Sequence, residues 1–287
     1  MGLVKVMNKI NEITPTPALY DFHCHLEHSE YEKDLDEVIK RSVERGIRKV
    51  VLTGSNLENN IRAFELAKAY PDFFDVAIGT SPHDSSTLNK EQMEEELTFV
   101  KENIEKIVGI GEVGLDRHAF FDQTSWQNQQ FIFEEYIELA VSKNLPVIVH
   151  SRKAEELVFD TLEKYDGVRV MLHCFMKPKM IERAVKNGWY VSIPTLKGKD
   201  IDKIIENIPI NYLVTETDSP FLWNDPQTKM PLRNEPANVI QTYKQIEALK
   251  NLQINEVCNQ IEKNYLNLFK KNSNIVLGEK SNDSKCK

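Results

Sequence analysis

The chain has 287 residues, 41% of them hydrophobic and 28% charged, enough apolar material for a sizeable core in one large domain or two small ones. Its formal net charge of −8 argues against a duplex binder that coats phosphates with a broad basic face, although bound cations reverse the field at a local site. No apolar run approaches the roughly 20 residues of a membrane span, and Cys24, Cys174, Cys258 and Cys286 show no C-x-x-C spacing, which points to reduced thiols in the cytoplasm.

Residues 1–18 carry Lys5 and Lys9 without a continuous apolar segment or a small-residue cleavage site, so they read as an N-terminal extension rather than a secretory signal. From there, short β-branched runs alternate with amphipathic stretches. Strands are expected over 19–23, 49–53, 75–79, 107–111, 146–150, 169–173, 189–193 and 212–216. Between them, helices are expected over 33–45, 57–69, 90–103, 125–143, 153–164, 178–187 and 199–208. Gly46 and Gly188 read as helix stops, because glycine accepts left-handed backbone. A Pro-rich loop from Pro220 to Pro236 then leads to two closing helices, 237–250 and 255–269. Eight strands alternating with helices predict an α/β fold, a (β/α)8 TIM barrel occupying 19–270 as a single domain with two extra C-terminal helices. A doubly wound open sheet is the alternative, and no composition break divides the chain. The polar segment 271–287 reads as a mobile tail.

Active sites of such barrels lie at the C-terminal ends of the strands. Residues two apart on a strand share a face, so His23 and His25 project together and Cys24 turns away. Further along come His83 after strand 3, Glu112 after strand 4, His150 ending strand 5, His173 ending strand 6 and Asp218 after strand 8. Five of the seven histidines thus stand at strand ends. Four imidazoles and two carboxylates exceed the needs of one tetrahedral ion and favour two. The simplest assignment gives one ion to His23, His25 and Asp218, the other to His150 and His173, with Glu112 bridging. Glu112 and Asp218 are then the catalytic carboxylates, Asp218 both ligand and acceptor of a proton from the attacking water.

Six stretches together resemble the TatD-like metal-dependent deoxyribonucleases of the amidohydrolase superfamily. They are His23-Cys24-His25, the run Gly111 to Asp116, His150-Ser151-Arg152, His173-Cys174-Phe175, Glu216 to Pro220, and Arg233-Asn234-Glu235-Pro236. The resemblance runs in family order from about Leu19 to Phe269. It implies a divalent-metal phosphodiesterase trimming single-stranded or frayed DNA from 3′ ends, with the six ligands as assigned, and with Mg or Mn as the working ion and Zn as a further option. Three departures fall in loops that contact substrate: Ser81-Pro82-His83 in place of His-Pro-His, Arg117 where an aromatic is common, and Met176-Lys177 in place of a Ser-Gly pair.

Around this set, His83, Arg152 and Arg233 are expected to contact substrate phosphate, since arginine suits bidentate phosphate contact. Structural ion pairing is the competing reading for both arginines. Glu216 is read equally as a salt-bridge residue or a catalyst, and Asp116 as a residue that orients a ligand or caps a helix. Cys24 and Cys174 read as small buried hydrophobes. His28, His118 and the lysines at 177, 179, 197 and 199 are expected to be solvated. The partner is DNA, single-stranded or at 3′ ends, handled by a monomer. Two other functions fit the residues. One is an amidohydrolase-type attack on an ester or amide, as in an aminoacyl-tRNA deacylase. The other is a non-catalytic barrel that binds a protein partner.

Overall fold

The computed structural model describes residues 18–118, 122–225, 228 and 230–269. Eight strands pair in parallel in sequential order: β1 Leu19–Cys24, β2 Ile47–Thr53, β3 Phe74–Ile78, β4 Gly109–Asp116, β5 Pro146–Arg152, β6 Arg169–Leu172, β7 Tyr190–Ile193 and β8 Leu213–Thr215. The last strand and the turn after it return to the first through several hydrogen bonds, three of them to or from its backbone. Thr215 Oγ1 donates to the Tyr20 carbonyl at 2.8 Å, Asp218 N to His23 O at 3.0 Å, and His25 N to Ser219 O at 2.7 Å. The sheet is therefore a nearly closed (β/α)8 barrel, as expected. The expectations for 1–18 and 271–287 fall, Ala18 apart, outside the described residues.

The helices lie outside this sheet: α1 Leu35–Glu44, α2 Leu57–Ala69, α3 Pro82–Ser85, α4 Lys90–Asn103, α5 Gln123–Lys143, α6 Glu155–Leu162, α7 Ile181–Lys186, α8 Lys199–Asn207, α9 Ile240–Lys250 and α10 Ile254–Phe269. Their ends follow local chemistry. The Asn56 side chain accepts from Asn59 N to start α2, Asn89 and Gln92 form a reciprocal capping box on α4, and Gly188 takes φ 73° just after α7. Strands wrapped by helices bury both faces, which is why β1 and β4 are buried at every position.

The barrel has two unlike mouths. At the N-terminal one, α10 touches the first turns of five strands. Glu262 takes the Tyr20 hydroxyl of β1 at 2.7 Å, and the Tyr265 hydroxyl bonds Asp75 of β3. Asn264 bonds Leu213 O of β8 at 2.6 Å, and Arg169 of β6 bonds the Leu268 carbonyl. Phe269 stands where a side chain on Gly109 of β4 would reach it. Inside this ring Phe22 packs on Tyr265 and Phe269, with ring centroids 5.1 and 5.8 Å away. These contacts close the barrel interior at this mouth.

Candidate metal centre

At the C-terminal mouth the six expected ligands converge from β1, β4, β5, β6 and β8. His23 Nε2 and His25 Nε2 stand 3.1 Å apart. Asp218 Oδ1 is 3.3 and 3.4 Å from them, and Glu112 Oε2 is 3.7 and 3.6 Å. Glu112 faces two ways, since its Oε1 meets His150 Nδ1 at 2.8 Å. His173 Nε2 lies 3.9 Å from Asp218 Oδ1, and the His173 ring stacks on His23 with centroids 3.8 Å apart. Glu112, His150 and His173 form a second group of donors that could share an ion.

Each strand end aims its ligand through specific backbone. Gly114, at φ 141°, lies so close to β5 that a Cβ there would stand 2.0 Å from the His150 carbonyl oxygen. Only glycine lets β4 run beside β5 at this depth, and so Glu112 reaches His150. Asp218 takes left-handed backbone at φ 55°, uncommon for a residue with a Cβ. The turn is locked by the buried Asp21 carboxylate, which accepts from Thr217 N at 3.0 Å and the Thr217 hydroxyl at 2.5 Å. Cys174 takes φ 43° directly after His173, with its N–H on Glu216 Oε1 at 2.8 Å.

A surrounding layer of carboxylates fixes the rings. His173 Nδ1 bonds Glu216 Oε2 at 2.9 Å and His25 Nδ1 bonds Glu27 Oε1 at 3.2 Å, leaving each Nε2 for the centre. Asp116 Oδ2 takes both His150 Nε2, at 2.9 Å, and His83 Nε2, at 3.0 Å. So many buried carboxylates call for positive charge. Burial works against a charged His150, yet the hydrogen bonds to Asp116 and Glu112 hold its pKa up at about 9. Burial likewise opposes charge on His173, but Glu216 and Asp218 raise it to about 10. Glu112 and Asp218 are held well below the usual carboxylate range. Burial opposes this for both, but the His150 hydrogen bond outweighs it for Glu112 and the His173 charge for Asp218.

The donor set fits divalent ions. Tetrahedral ligands about 2.0–2.1 Å from an ion stand about 3.3–3.4 Å from one another, and the atoms of His23, His25, Glu112 and Asp218 are spaced at 3.1–3.7 Å.

A family model described as TatD related DNase matches residues 20–270. The chain belongs to the TatD family. It is 33% identical over 254 residues to an uncharacterized metal-dependent hydrolase of Methanocaldococcus jannaschii, covering 88% of this chain and 96% of that protein. It is 31% identical over 231 residues to the 3′-5′ ssDNA/RNA exonuclease TatD of Salmonella typhimurium, covering 76% and 86%. Its fold matches that of the TatD homolog YjjV from Escherichia coli with a TM-score of 0.78 at 24% identity, covering 88% and 97%.

Several expectations need revision. Strand 4 does not end at 111 but runs through the motif to Asp116, so Glu112 lies within the strand. Arg233, expected on phosphate, is committed to Asp34 by two bonds of 2.7 and 2.6 Å and lies 4.8 Å over the Tyr31 ring. With Arg41 bidentate on Glu235 and the Tyr31 hydroxyl on Asn234 O at 2.6 Å, this motif staples the loop after β8 to α1. Lys177 is exposed as expected, pairing with Glu155 at 3.2 Å, whereas Cys174 is only partly buried, unlike the buried Cys24. His83 and Arg152 are exposed at the rim. Sequence reading missed Glu27, whose position two residues after His25 was its signal.

Proposed function

We propose that the chain is a two-ion phosphodiesterase that trims single-stranded or frayed DNA from the 3′ end. The observation that carries it is the ligand-like spacing of His23, His25, Glu112 and Asp218 beside the Glu112, His150 and His173 group. His23, His25 and Asp218 would hold one ion, His150 and His173 the other, and Glu112 both. Divalent ions there would acidify a bound water and screen the charge that builds on the phosphoryl oxygens. The chain's own residues do the rest. Asp218 takes the proton of the attacking water. Glu216 and Glu27 hold the imidazoles in the tautomer that offers Nε2. Asp116 orients His150 and presents His83 to the phosphate, with Arg152 beside it at the rim. Arg233 instead fixes the loop that carries Asp218. Magnesium or manganese suits the carboxylates and phosphate, and the four imidazoles also suit zinc.

The free thiols of Cys24, Cys174 and Cys258 support a reducing, cytoplasmic setting. Among the described residues no helix is long and apolar enough to cross a membrane. The reading includes a monomeric enzyme.

Digestion of 5′-labelled single-stranded DNA by metal-stripped protein, with Mg, Mn or Zn restored separately, tests this. A metal-dependent ladder shortening from the 3′ end supports it. Absence of nucleotide release, with hydrolysis of a carboxylic ester or aminoacyl-tRNA instead, moves the site to carbonyl chemistry.

A further inference from the structure

An acidic nuclease must find its substrate affinity somewhere other than a basic surface. The net charge is −8, and Arg233 of the motif loops is committed to Asp34. Arg152 stays exposed at the rim for phosphate, and an acidic chain gains from contacts that need no charge.

Beside the centre stands a side chain of another kind. Phe221 follows Asp218 by three residues and is 49% exposed, unusual for a large aromatic. Its ring lies 6.2 Å from that of His25, a candidate ligand, and 5.9 Å from that of His28. The exposure does not come from a loose loop. Phe221 N bonds Asp218 O at 2.8 Å, Asn234 N bonds Pro220 O at 2.9 Å, Thr195 Oγ1 bonds Leu222 O at 2.9 Å, and Leu232 N bonds Trp223 O at 3.0 Å. A rigid backbone thus holds an open aromatic surface next to the His25 imidazole. Met230 and Leu232 on the same loop are exposed too, so this loop offers apolar surface.

We infer that Phe221, buttressed by His28, is a nucleobase-stacking subsite for the terminal nucleotide whose phosphodiester is cleaved. Every base has a π-face, so such a platform is sequence-tolerant. It also selects unpaired ends, because a base inside a duplex is already stacked and must be freed first. The inference rests on the phosphodiesterase reading and adds to it the group that recognises the substrate end.

The test compares kcat/KM on a single-stranded oligonucleotide ending in a normal or an abasic 3′ nucleotide, for wild type, Phe221→Ala, Phe221→Leu and Phe221→Trp. Wild type and Phe221→Trp should favour the base-bearing end by roughly tenfold, within the range that stacking supplies. Phe221→Ala should lose that preference. Phe221→Leu, which keeps apolar bulk without a π-face, should lose it too and guards against a folding defect in the alanine variant. A binding readout runs alongside. A 3′-terminal 2-aminopurine joined by a phosphorothioate should lose fluorescence on wild type and Phe221→Trp, but not on Phe221→Ala. Preference and quenching that survive in Phe221→Ala overturn the subsite. A wild type that cuts both ends equally overturns the subsite alone. A wild type that cuts neither end while hydrolysing a carboxylic ester overturns the phosphodiesterase reading and the subsite with it.

Discussion

The two mouths of the barrel are built from opposite materials. At the N-terminal mouth, Phe22, Tyr265 and Phe269 pack ring on ring, and Asn264 donates to Leu213 O. At the C-terminal mouth, five buried carboxylates, Glu27, Glu112, Asp116, Glu216 and Asp218, press against the imidazoles. The first arrangement gains stability from burial at roughly 25 cal/mol per Å². The second costs stability, because buried charge is desolvated. One strand, β1, serves both: Tyr20 and Phe22 face the seal, and His23 begins the centre. The fold thus stores its stability at one end and releases some of it at the other to hold a charged site in readiness.

If that division is right, substitutions at the two ends fail in different ways. The largest effect is expected from Asp218→Asn. Losing the proton acceptor should lower kcat for DNA cleavage by roughly 10²–10⁴-fold, with an unchanged circular dichroism spectrum. Residual metal-dependent cleavage near the wild-type rate would break the assignment.

Phe22→Ala should behave in the reverse way. A fully buried ring is removed from the seal, which costs about 3–5 kcal/mol in chemical denaturation. The molecules that remain folded should keep the wild-type kcat. A loss of kcat at full folding would show that the two mouths are coupled.

Between these extremes lies Glu216→Gln. It keeps the shape but weakens the bond that sets the His173 tautomer, so metal affinity by calorimetry should fall roughly 10–100-fold. Rescue of activity at high metal concentration distinguishes this from loss of a catalyst.

The smallest effect concerns Glu96, which bonds none of the candidate ligands. Burial pushes its carboxyl up to about 7, against the hydrogen bonds from Leu57 N and the Thr80 hydroxyl. A carboxyl whose folded pKa exceeds its unfolded value stabilises the fold fully below the unfolded value. That contribution is lost as pH rises through about 7. Glu96→Gln should therefore flatten the decline of Tm between pH 5 and pH 8, by roughly 2–4 °C for each 1 kcal/mol removed. An identical pH profile in the variant would place the titration elsewhere.

The periodicity of the chain made eight strands and their helices legible, and the histidines at strand ends marked the mouth. Strand 4 was cut short because Gly111 and Gly114 weaken a strand pattern, although here they are what allows β4 to approach β5. The candidate ligands were readable because most stand near or just past strand ends, Glu112 alone lying deeper within its strand. Their orienting partners were less so, since Glu216 reaches His173 from 43 residues away and Asp34 reaches Arg233 from 199. A loop arginine carries no local sign of which anion it will meet.

The central claim is that the C-terminal mouth needs two ions to act. The direct measurement is a stepwise titration of Mn into metal-stripped protein while nucleotide release from single-stranded DNA is followed. Activity should stay low through the first equivalent, rise with the second, and plateau there. Full activity without added ion, or a plateau at one equivalent, would contradict the account.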